Sequence, residues 1–540
     1  MPEKELVNLT VDGQTVQAPK GTYILEAAKT VGIQIPHYCY HPGLSVVGSC
    51  RMCLVEIEKL PKLQPSCATP VAEGMVVRTK TPETLRNRKF VLEFLLSNHP
   101  LDCPVCDQAG ECELQNYYME HGLYDSRFDE NKTKRKKAFP IGPYVILDQE
   151  RCILCTRCVR FTREISKTSE LGVFKRGHHS EIDVVPGFEL NNPYSGNVVD
   201  VCPVGALTDR DFRFKCRVWF LGRTPSICPG CSRGCNIEIH FNEHFNPRYH
   251  EQRVHRLKPR YNKEVNGHWI CDEGRYSYHS IDAPNRLKAP ALKKDGSFRQ
   301  STWESVIQEA AKALKQALLA HGPEGVAVLA SPQMTNEELF CARRLFVDEL
   351  KIKNVEFSVP FNGTVYSDDF LITADKNPNA KGAALILPSG IGIENLLNLC
   401  AEGRIHVLYI IQHDLTRGYD LKKIEAALDK VDCVIFQGSW DQATAALAGI
   451  QLPAAVYAEK AGTFTNVQGR VQKFQAAIPP VGESLPDLEI FSKLAAELDV
   501  HPDSTAAADV FRSIGENMEA YAGMTFQTLG EGGQLLNQGK

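Results

Sequence analysis

Arg151-Cys152-Ile153-Leu154-Cys155-Thr156-Arg157-Cys158 sets three thiols at every third position, and Val201-Cys202-Pro203 supplies a fourth further down the chain. A structural zinc site draws two ligands from each of two separated knuckles. Three thiols on one tight loop, completed by a distant cysteine followed by proline, have instead the pattern that wraps a [4Fe–4S] cluster. In chains with two such clusters the last cysteine serves the other one. No second triplet of this kind accompanies it here, so ligand counting closes one cluster with Cys152, Cys155, Cys158 and Cys202.

Three more groups of four donors flank this one. Cys39, Cys50, Cys53 and Cys67 keep the Cys-x2-Cys pair and distant fourth thiol of a [2Fe–2S] loop, although the ten-residue gap after Cys39 is wider than the plant-type four. His99, Cys103, Cys106 and Cys112 form the odd group. A histidine beside an apolar helix is more often structural, yet without it the group has three ligands, and Asp102 is the fallback. An imidazole in place of a thiolate removes negative charge and raises a cluster's potential. Cys228, Cys231, Cys235 and Cys271 could hold zinc or [4Fe–4S] on spacing alone, and the company they keep decides for iron. Of the 19 cysteines, only Cys216, Cys341, Cys400 and Cys433 are left over. A four-ligand site repeated four times suits passing electrons along, and no substrate site or catalytic residue is expected on this chain.

A formal net charge of −4 gives no electrostatic reason to expect nucleic acid or an anionic membrane as partner. No apolar run approaches the ~18 residues of a spanning helix. The opening Met1-Pro2-Glu3-Lys4-Glu5 has neither the basic region nor the apolar run of a signal peptide. The expectation is therefore a reducing cytosol, where clustered cysteines hold metals rather than disulfides.

Residues 6–18 alternate in character around Asp12-Gly13, which predicts a two-residue hairpin, and Tyr23–Val31 reads as a short helix before the Cys39–Cys67 loop, with a strand at Arg51–Ile57. That order suits a β-grasp [2Fe–2S] ferredoxin domain over 1–80. Thr81-Pro82-Glu83 starts a helix, and Leu85, Leu92, Leu95 and Leu96 carry it to about Ser97, so that His99 lies just beyond its end. We expect a helical [4Fe–4S] segment with one histidine and three cysteine ligands over 81–135, a ferredoxin-like [4Fe–4S] module over 136–218 and a fourth [4Fe–4S] domain over 219–275. The basic run Lys132–Lys137 reads as a solvated loop or linker rather than a docking patch. From 276 to 540, strand-length runs at Ala383–Leu387, His406–Ile411, Cys433–Gln437 and Ala454–Tyr457 alternate with helical patterns at Glu394–Ala401, Leu421–Lys430 and Asp441–Leu447. That predicts βαβ units and a parallel sheet. Ser389-Gly390-Ile391-Gly392, read as following a strand, lacks the third glycine of a dinucleotide fingerprint. The tail, Leu529–Lys540, is expected to fray.

Leu101-Asp102-Cys103-Pro104-Val105-Cys106-Asp107-Gln108-Ala109-Gly110-Glu111-Cys112 closely resembles the signature of the large iron–sulfur subunit of bacterial complex I, NADH:quinone oxidoreductase. Gly48-Ser49-Cys50-Arg51-Met52-Cys53, Arg151–Phe161 and Val201–Thr208 are similar to the same family. More weakly, Ala461–Arg470 looks like its shortened, degenerate molybdopterin-oxidoreductase domain. The resemblance implies one [2Fe–2S] cluster in the Cys39 group, fed by an FMN- and NADH-binding flavoprotein subunit. It implies three [4Fe–4S] clusters, with electrons passing through the Cys152 group and then the His99 group towards quinone-module subunits, and the Cys228 group off the main path. It further implies a small [2Fe–2S] subunit as neighbour, a place on the cytoplasmic side of the bacterial inner membrane with membrane contact only through the complex, and no molybdopterin. A formate-dehydrogenase-like molybdenum enzyme is the nearest rival; such enzymes tend to carry a lysine two positions after the last cluster cysteine, where this chain has Glu273. An [FeFe]-hydrogenase would need more cysteine ligands than remain, and a zinc scaffold would be colourless.

Overall fold

Asp12 and Gly13 both take left-handed backbone, with φ of 47° and 84°. Two residues of that kind turn a hairpin tightly, so β1 (Leu6–Val11) folds onto β2 (Gln14–Pro19) with Val11 opposite Gln14. The computed structural model describes residues 5–122, 125–243, 252–359 and 365–537. Met1–Lys4, part of the N-terminal reading, and the last three positions of the tail lie outside the described residues. The chain divides into two compact units, Met1–Leu221 and Gly222–Lys540.

In the first unit, α1 (Ile24–Thr30), β3 (Leu54–Ile57), β4 (Gln64–Pro65) and β5 (Met75–Arg78) complete a sheet of order β2-β1-β5-β3-β4. Its β1 and β5 run parallel and its other neighbours antiparallel. Ile24, Leu25, Ala27 and Ala28 of α1 pack with Val7, Leu9, Val55 and Val77, and Cys53 and Cys67 sit in the same core. This is the expected β-grasp arrangement. Next, α2 (Pro82–Asn98) begins where the Thr81 hydroxyl accepts from Thr84 N (3.4 Å) and has proline in its first turn. It stops because His99 precedes Pro100, whose ring pushes the preceding residue out of helical backbone; His99 has ψ 130°. After α3 (Glu113–His121), β6 (Phe139–Pro140) and β7 (Val145–Leu147) come α4 (Arg157–Arg160), the β8–β9 hairpin (Leu171–Phe174, Glu181–Val184), α5 (Asn197–Val201) and β10 (Leu207–Asp209). The last pairs with β7 in a sheet of order β10-β7-β6.

The run Lys132–Lys137 is a loop, but not a free linker. Lys132 donates to the carbonyls of Leu96 and Ser97, Arg135 to those of His178 and Ser180, and Lys137 pairs with Asp102 (3.2 Å) and Glu150 (3.0 Å). Its charges answer acceptors on three separate segments, which composition alone does not reveal.

The second unit opens with a three-stranded sheet, β11 (Leu221–Ile227, from Gly222 onward), β12 (Asn236–Asn242) and β13 (Val254–Pro259), followed by α6 (Asp272–Tyr276). Then come β14 (Ala291–Lys294), β15 (Ser297–Gln300), α7 (Trp303–His321), β16 (Val326–Leu329), α8 (Asn336–Ala342), β17 (Asn354–Glu356), α9 (Ala380–Ile386), α10 (Ile393–Ala401), β18 (Val407–Ile411), α11 (Leu421–Leu428), β19 (Cys433–Gly438), α12 (Ala443–Ala446) and β20 (Ile450–Pro453). The sheet order is β15-β14-β20-β19-β18-β16-β17, with β20 through β17 parallel. Alternate residues bury on opposite faces. Val328, Tyr409 and Ile435 pack under α7 and α8, and Leu329, Leu408 and Val434 under α10 and α11. β21 (Gly462–Thr465), β22 (Arg470–Phe474), α13 (Asp487–Glu497), α14 (Ala507–Asn517) and β23 (Gln534–Leu535) complete the unit.

Four expectations need correction. Ala383–Leu387 is not a strand but the last four residues of α9 and its C-cap, because a short apolar run reads alike for a buried strand and a buried helix. Ala454–Tyr457 is not a strand either. The ladder runs over Ile450–Pro453, with polar Gln451 buried and bonded to the Ala445 carbonyl (3.1 Å), and it ends where Ala455 N turns to the Leu485 carbonyl (2.9 Å). Ser389–Gly392 therefore follows a helix, and the Glu356 carboxylate accepts from Gly392 N. The tail does not fray through 537: β23 pairs with β22, and Leu536 N donates to the Gly469 carbonyl (2.8 Å).

Candidate metal centres

Left-handed residues shape the loop that carries Cys50 and Cys53, with Gly48 at φ 61° and Arg51 at φ 58°. They fold it back on Cys39 and Cys67. The four thiols form a contact chain: Cys50 meets Cys39, Cys39 meets Cys67, and Cys67 meets Cys53. Hydrogen bonds from Cys50 and Cys67 pull the Cys39 thiol below its ordinary value, while sharing with Cys39 pushes Cys50 and Cys67 up.

The Cys152 loop is wrapped by two left-handed non-glycine residues, Leu154 (φ 53°) and Thr156 (φ 60°), and Leu154 N donates to Cys152 Sγ (3.4 Å). Cys202 lies at the end of α5, kept extended by Pro203. All four thiols line one small cavity with Leu147, Ile182 and Leu207. Cys103, Cys106 and Cys112 bear on one another through charge across the turn between α2 and α3. His99 shares the neighbours Asp102 and Arg151 with Cys106. Its Nδ1 is buried with no hydrogen-bond partner among the described residues. Asp102, the fallback ligand, has both oxygens engaged: Arg151 grips it bidentately (2.7 and 3.2 Å) and Lys137 adds a third contact (3.2 Å). The Nδ1 of His99, by contrast, is free among the described residues to serve as a ligand.

The structure adds links between these groups that their spacing does not show. Gly205, three residues after Cys202, lies so close to the Cys106 thiol that a Cβ there would stand 2.3 Å from Sγ. A single apolar cluster joins Tyr38, Met52, Leu92, Cys112, Val204 and Ala206, and packed against it are Cys50, Cys152, Cys155 and Cys202. Members of three groups thus share one core. The arginines that tie the loops together, Arg157 and Arg160, stand in plain view beside Cys158, but spacing gives no sign of what they reach.

In the second unit, Cys228 N donates to the Cys235 carbonyl (2.8 Å), closing the loop between β11 and β12. Cys271 caps α6, its sulfur accepting from Gly274 N (3.3 Å). Gly274 leaves room for two sulfurs, since a Cβ there would lie 3.0 Å from Cys228 Sγ and 3.4 Å from Cys271 Sγ. Beyond them, at the carboxyl ends of the parallel strands, opens a cavity of about 670 Å³ lined by Glu273, Lys376, Gln412, Asp414, Arg417 and Lys460, among others. Glu273 is held by Lys376 (2.7 Å), and no cysteine or histidine lines the cavity among the described residues. None of these linings offers a thiol or imidazole to a pterin-bound metal. Cys216, Cys341 and Cys400 are buried elsewhere and Cys433 is half-buried.

Burial makes these thiols poor thiolates by themselves. It pushes Cys152, Cys155 and Cys271 up to about 12 and Cys112 to about 11, and holds Cys158, Cys228 and Cys235 well above the ordinary thiol. Four thiolates in one buried pocket need cations among them, and metal binding supplies these as it displaces the protons. Burial also lowers the His99 imidazole to about 4, so at neutral pH it is the uncharged form that can ligate. The chemistry of these donor groups suits metal clusters, although among the described residues no three donors are placed to hold a single metal ion.

Cysteine-rich loops on ferredoxin-type modules define an iron–sulfur protein. Family models match in the same sequence: a 2Fe-2S iron-sulfur cluster binding domain over 4–82, the NADH-ubiquinone oxidoreductase-G iron-sulfur binding region over 88–127, and the ferredoxin-like domain of NADH-quinone oxidoreductase subunit 3 over 142–208. A molybdopterin oxidoreductase Fe4S4 domain follows over 222–283, and molybdopterin oxidoreductase over 286–369 and 370–497. The chain is 31% identical to the NADH-quinone oxidoreductase G subunit of Rickettsia felis over 92% of its own length and 88% of the relative's. It is 31% identical to the mitochondrial 78 kDa subunit of NADH-ubiquinone oxidoreductase of Neurospora crassa, over 92% and 81%. It is 44% identical to the 75 kDa subunit of Reclinomonas americana, over 58% and 44%. The chain belongs to the family of the NADH-quinone oxidoreductase G subunit.

Proposed function

We propose that this chain is an electron-transfer subunit of the peripheral arm of NADH:quinone oxidoreductase, with its ligand sets as follows. Cys39, Cys50, Cys53 and Cys67 hold a [2Fe–2S] cluster; His99 with Cys103, Cys106 and Cys112, Cys152 with Cys155, Cys158 and Cys202, and Cys228 with Cys231, Cys235 and Cys271 each hold a [4Fe–4S] cluster. The observation that carries this reading is the apolar core shared by members of three of the sets. The family models that match over 4–82 and 88–127, a 2Fe-2S domain and an iron–sulfur binding region, support the smaller cluster in the first set.

Bound there, iron–sulfur clusters take up and release single electrons with little rearrangement, at potentials set by ligand charge, hydrogen bonds and burial. The chain's own residues supply these controls. His99 replaces an anionic ligand with a neutral one. Arg151, buried beside Cys106, places a cation next to the same set and is held there by Asp102. The bonded contacts support an order. Arg160 and Arg157 reach from the Cys152 set to the loop of Cys39, and Gly205 packs the Cys152 set against Cys106. Electrons enter at the Cys39 set from an FMN-bearing subunit, pass the Cys152 set and leave from the His99 set towards quinone-module subunits. The Cys228 set stands off this path, in the other unit.

The reading places module boundaries near 80, 135, 218 and 275, a small [2Fe–2S] subunit beside the chain, and the whole on the cytoplasmic face of the bacterial inner membrane. No described helix is long and apolar enough to cross a membrane. A reductive titration followed by EPR tests the reading: one two-iron and three four-iron signals are expected. A colourless preparation carrying zinc overturns it.

A further inference from the structure

Arg160 is buried, and its three hydrogen-bond partners among the described residues are backbone carbonyls. Nη1 donates to Ser45, and Nη2 donates both to Cys39 (2.5 Å) and to Cys155 (3.2 Å). One nitrogen thus joins the backbone of a residue from the Cys39 set to that of a residue from the Cys152 set. Its neighbour one helical turn earlier repeats the pattern: Arg157 donates to the carbonyl of Tyr40 (2.7 Å) and to that of Val201 (3.3 Å), next to Cys202. Glu164 fixes the far end of the same loop by accepting from Ser45 N (2.9 Å) and Oγ (2.6 Å).

We propose that Arg160 is the positioning residue for electron transfer between these two sets, acting as both bridge and shared cation; this rests on the ligand assignment above. Two physical arguments carry it. A guanidinium presents five N–H donors in a rigid plane, so it can hold three carbonyls in one geometry, whereas an ammonium on a flexible stem cannot. A buried cation whose partners are carbonyls rather than a carboxylate keeps most of its charge, and retaining it is unfavourable unless anionic groups lie near. Two sets of thiolates flanking it, with the Glu164 carboxylate as a further nearby anion, meet that condition. The charge stabilises the reduced form at both sets, raising both potentials together, so the step between them keeps its driving force. The two hydrogen bonds through Nη2 provide a short bonded route, along which one electron leaves the Cys39 set as the Cys152 set gains it.

The test uses the full chain in its assembled complex, with Arg160→Gln, Arg160→Lys and Arg163→Gln. Arg163 is on the following turn, its side chain mostly exposed and paired with Glu164, so its replacement removes a charge outside the bridge. EPR-monitored redox titration reads both potentials, and amide hydrogen exchange over 39–45 reads the loop. Arg160→Gln is expected to lower both midpoints, each by about tenfold in the reduced-to-oxidised ratio at fixed poise, or ~59 mV for a one-electron couple. Arg160→Lys is expected to leave both midpoints in place and raise exchange over 39–45, and Arg163→Gln to change neither. Both signals present with unmoved midpoints in Arg160→Gln, or an equal shift in Arg163→Gln, overturns the proposal. If Arg160→Gln assembles without its clusters, Arg160→Lys decides, and unaltered exchange there overturns it. A wild-type chain lacking the two-iron signal overturns the ligand assignment itself.

Discussion

His99 stands where it does because Pro100 follows it: the helix must end there, and the imidazole is left beside Asp102 and Arg151 with Nδ1 unpartnered. His99→Cys should restore a fourth thiolate and lower the potential of that centre; an unchanged redox titration would mean that His99 is not a ligand. Gly205 makes a sharper case, because no spacing rule points to it. Gly205→Ala forces a Cβ to within 2.3 Å of Cys106 Sγ. We expect loss of the four-iron signal of the His99 set while that of the Cys39 set persists, and iron analysis together with EPR will show whether it does. Donor identity is legible in the sequence, since a thiol's chemistry is local. The partners of those donors are not, because Gly205, Arg157 and Arg160 act on groups distant in the chain.

At the scale of elements, what can be read depends on how local the determinant is. The Asp12-Gly13 turn and the capped start of α2 are legible because turn backbone and caps are set by adjacent residues. Thr81→Ala should therefore cost about 1 kcal/mol; a denaturant midpoint for the cluster-loaded chain measures it, and no change would mean that neighbouring contacts hold the helix end. Ala383–Leu387 goes the other way because packing against α8, not local propensity, selects its helix. The strand at Ile450–Pro453 is hidden by Gln451, whose side chain is satisfied inside the core. The β11–β13 sheet leaves no mark that spacing can find, its strands reading only as the flanks of the fourth cysteine group.

For the whole molecule, the two units predict two phenotypes. Cys155→Ala, in the unit that holds the proposed path, should abolish NADH:quinone turnover. Cys231→Ala should mainly reduce stability or assembly, and equal loss of turnover in stable, assembled complexes would contradict an off-path fourth set. Stability should also depend on pH from both sides. Burial lowers His37, His99 and His240 to about 4 from 6.5, so the unfolded chain takes up protons first and stability falls as pH drops from 6.5 to 4. Burial raises Glu337 to about 8 from 4.5, so the unfolded chain loses its proton first and stability falls as pH climbs from 4.5 to 8. Glu337→Gln should flatten the alkaline limb of the denaturation midpoint against pH and leave the acid limb alone.

The carbonyl of Arg233, in the Cys228 loop, accepts from Asn466 Nδ2 (3.1 Å), and that of Ser232 from Val467 N (2.8 Å). The strand that follows these residues pairs with β23, and Asn262 donates to the Gly532 carbonyl (3.1 Å). The fourth ligand loop is therefore braced by residues made more than two hundred positions after it. The loops that carry the first three donor groups lie within a unit that ends at Leu221, whereas the braces on the Cys228 loop come from Asn466 and Val467. The loops of the first unit can thus fold before the residues that brace the Cys228 loop have been made.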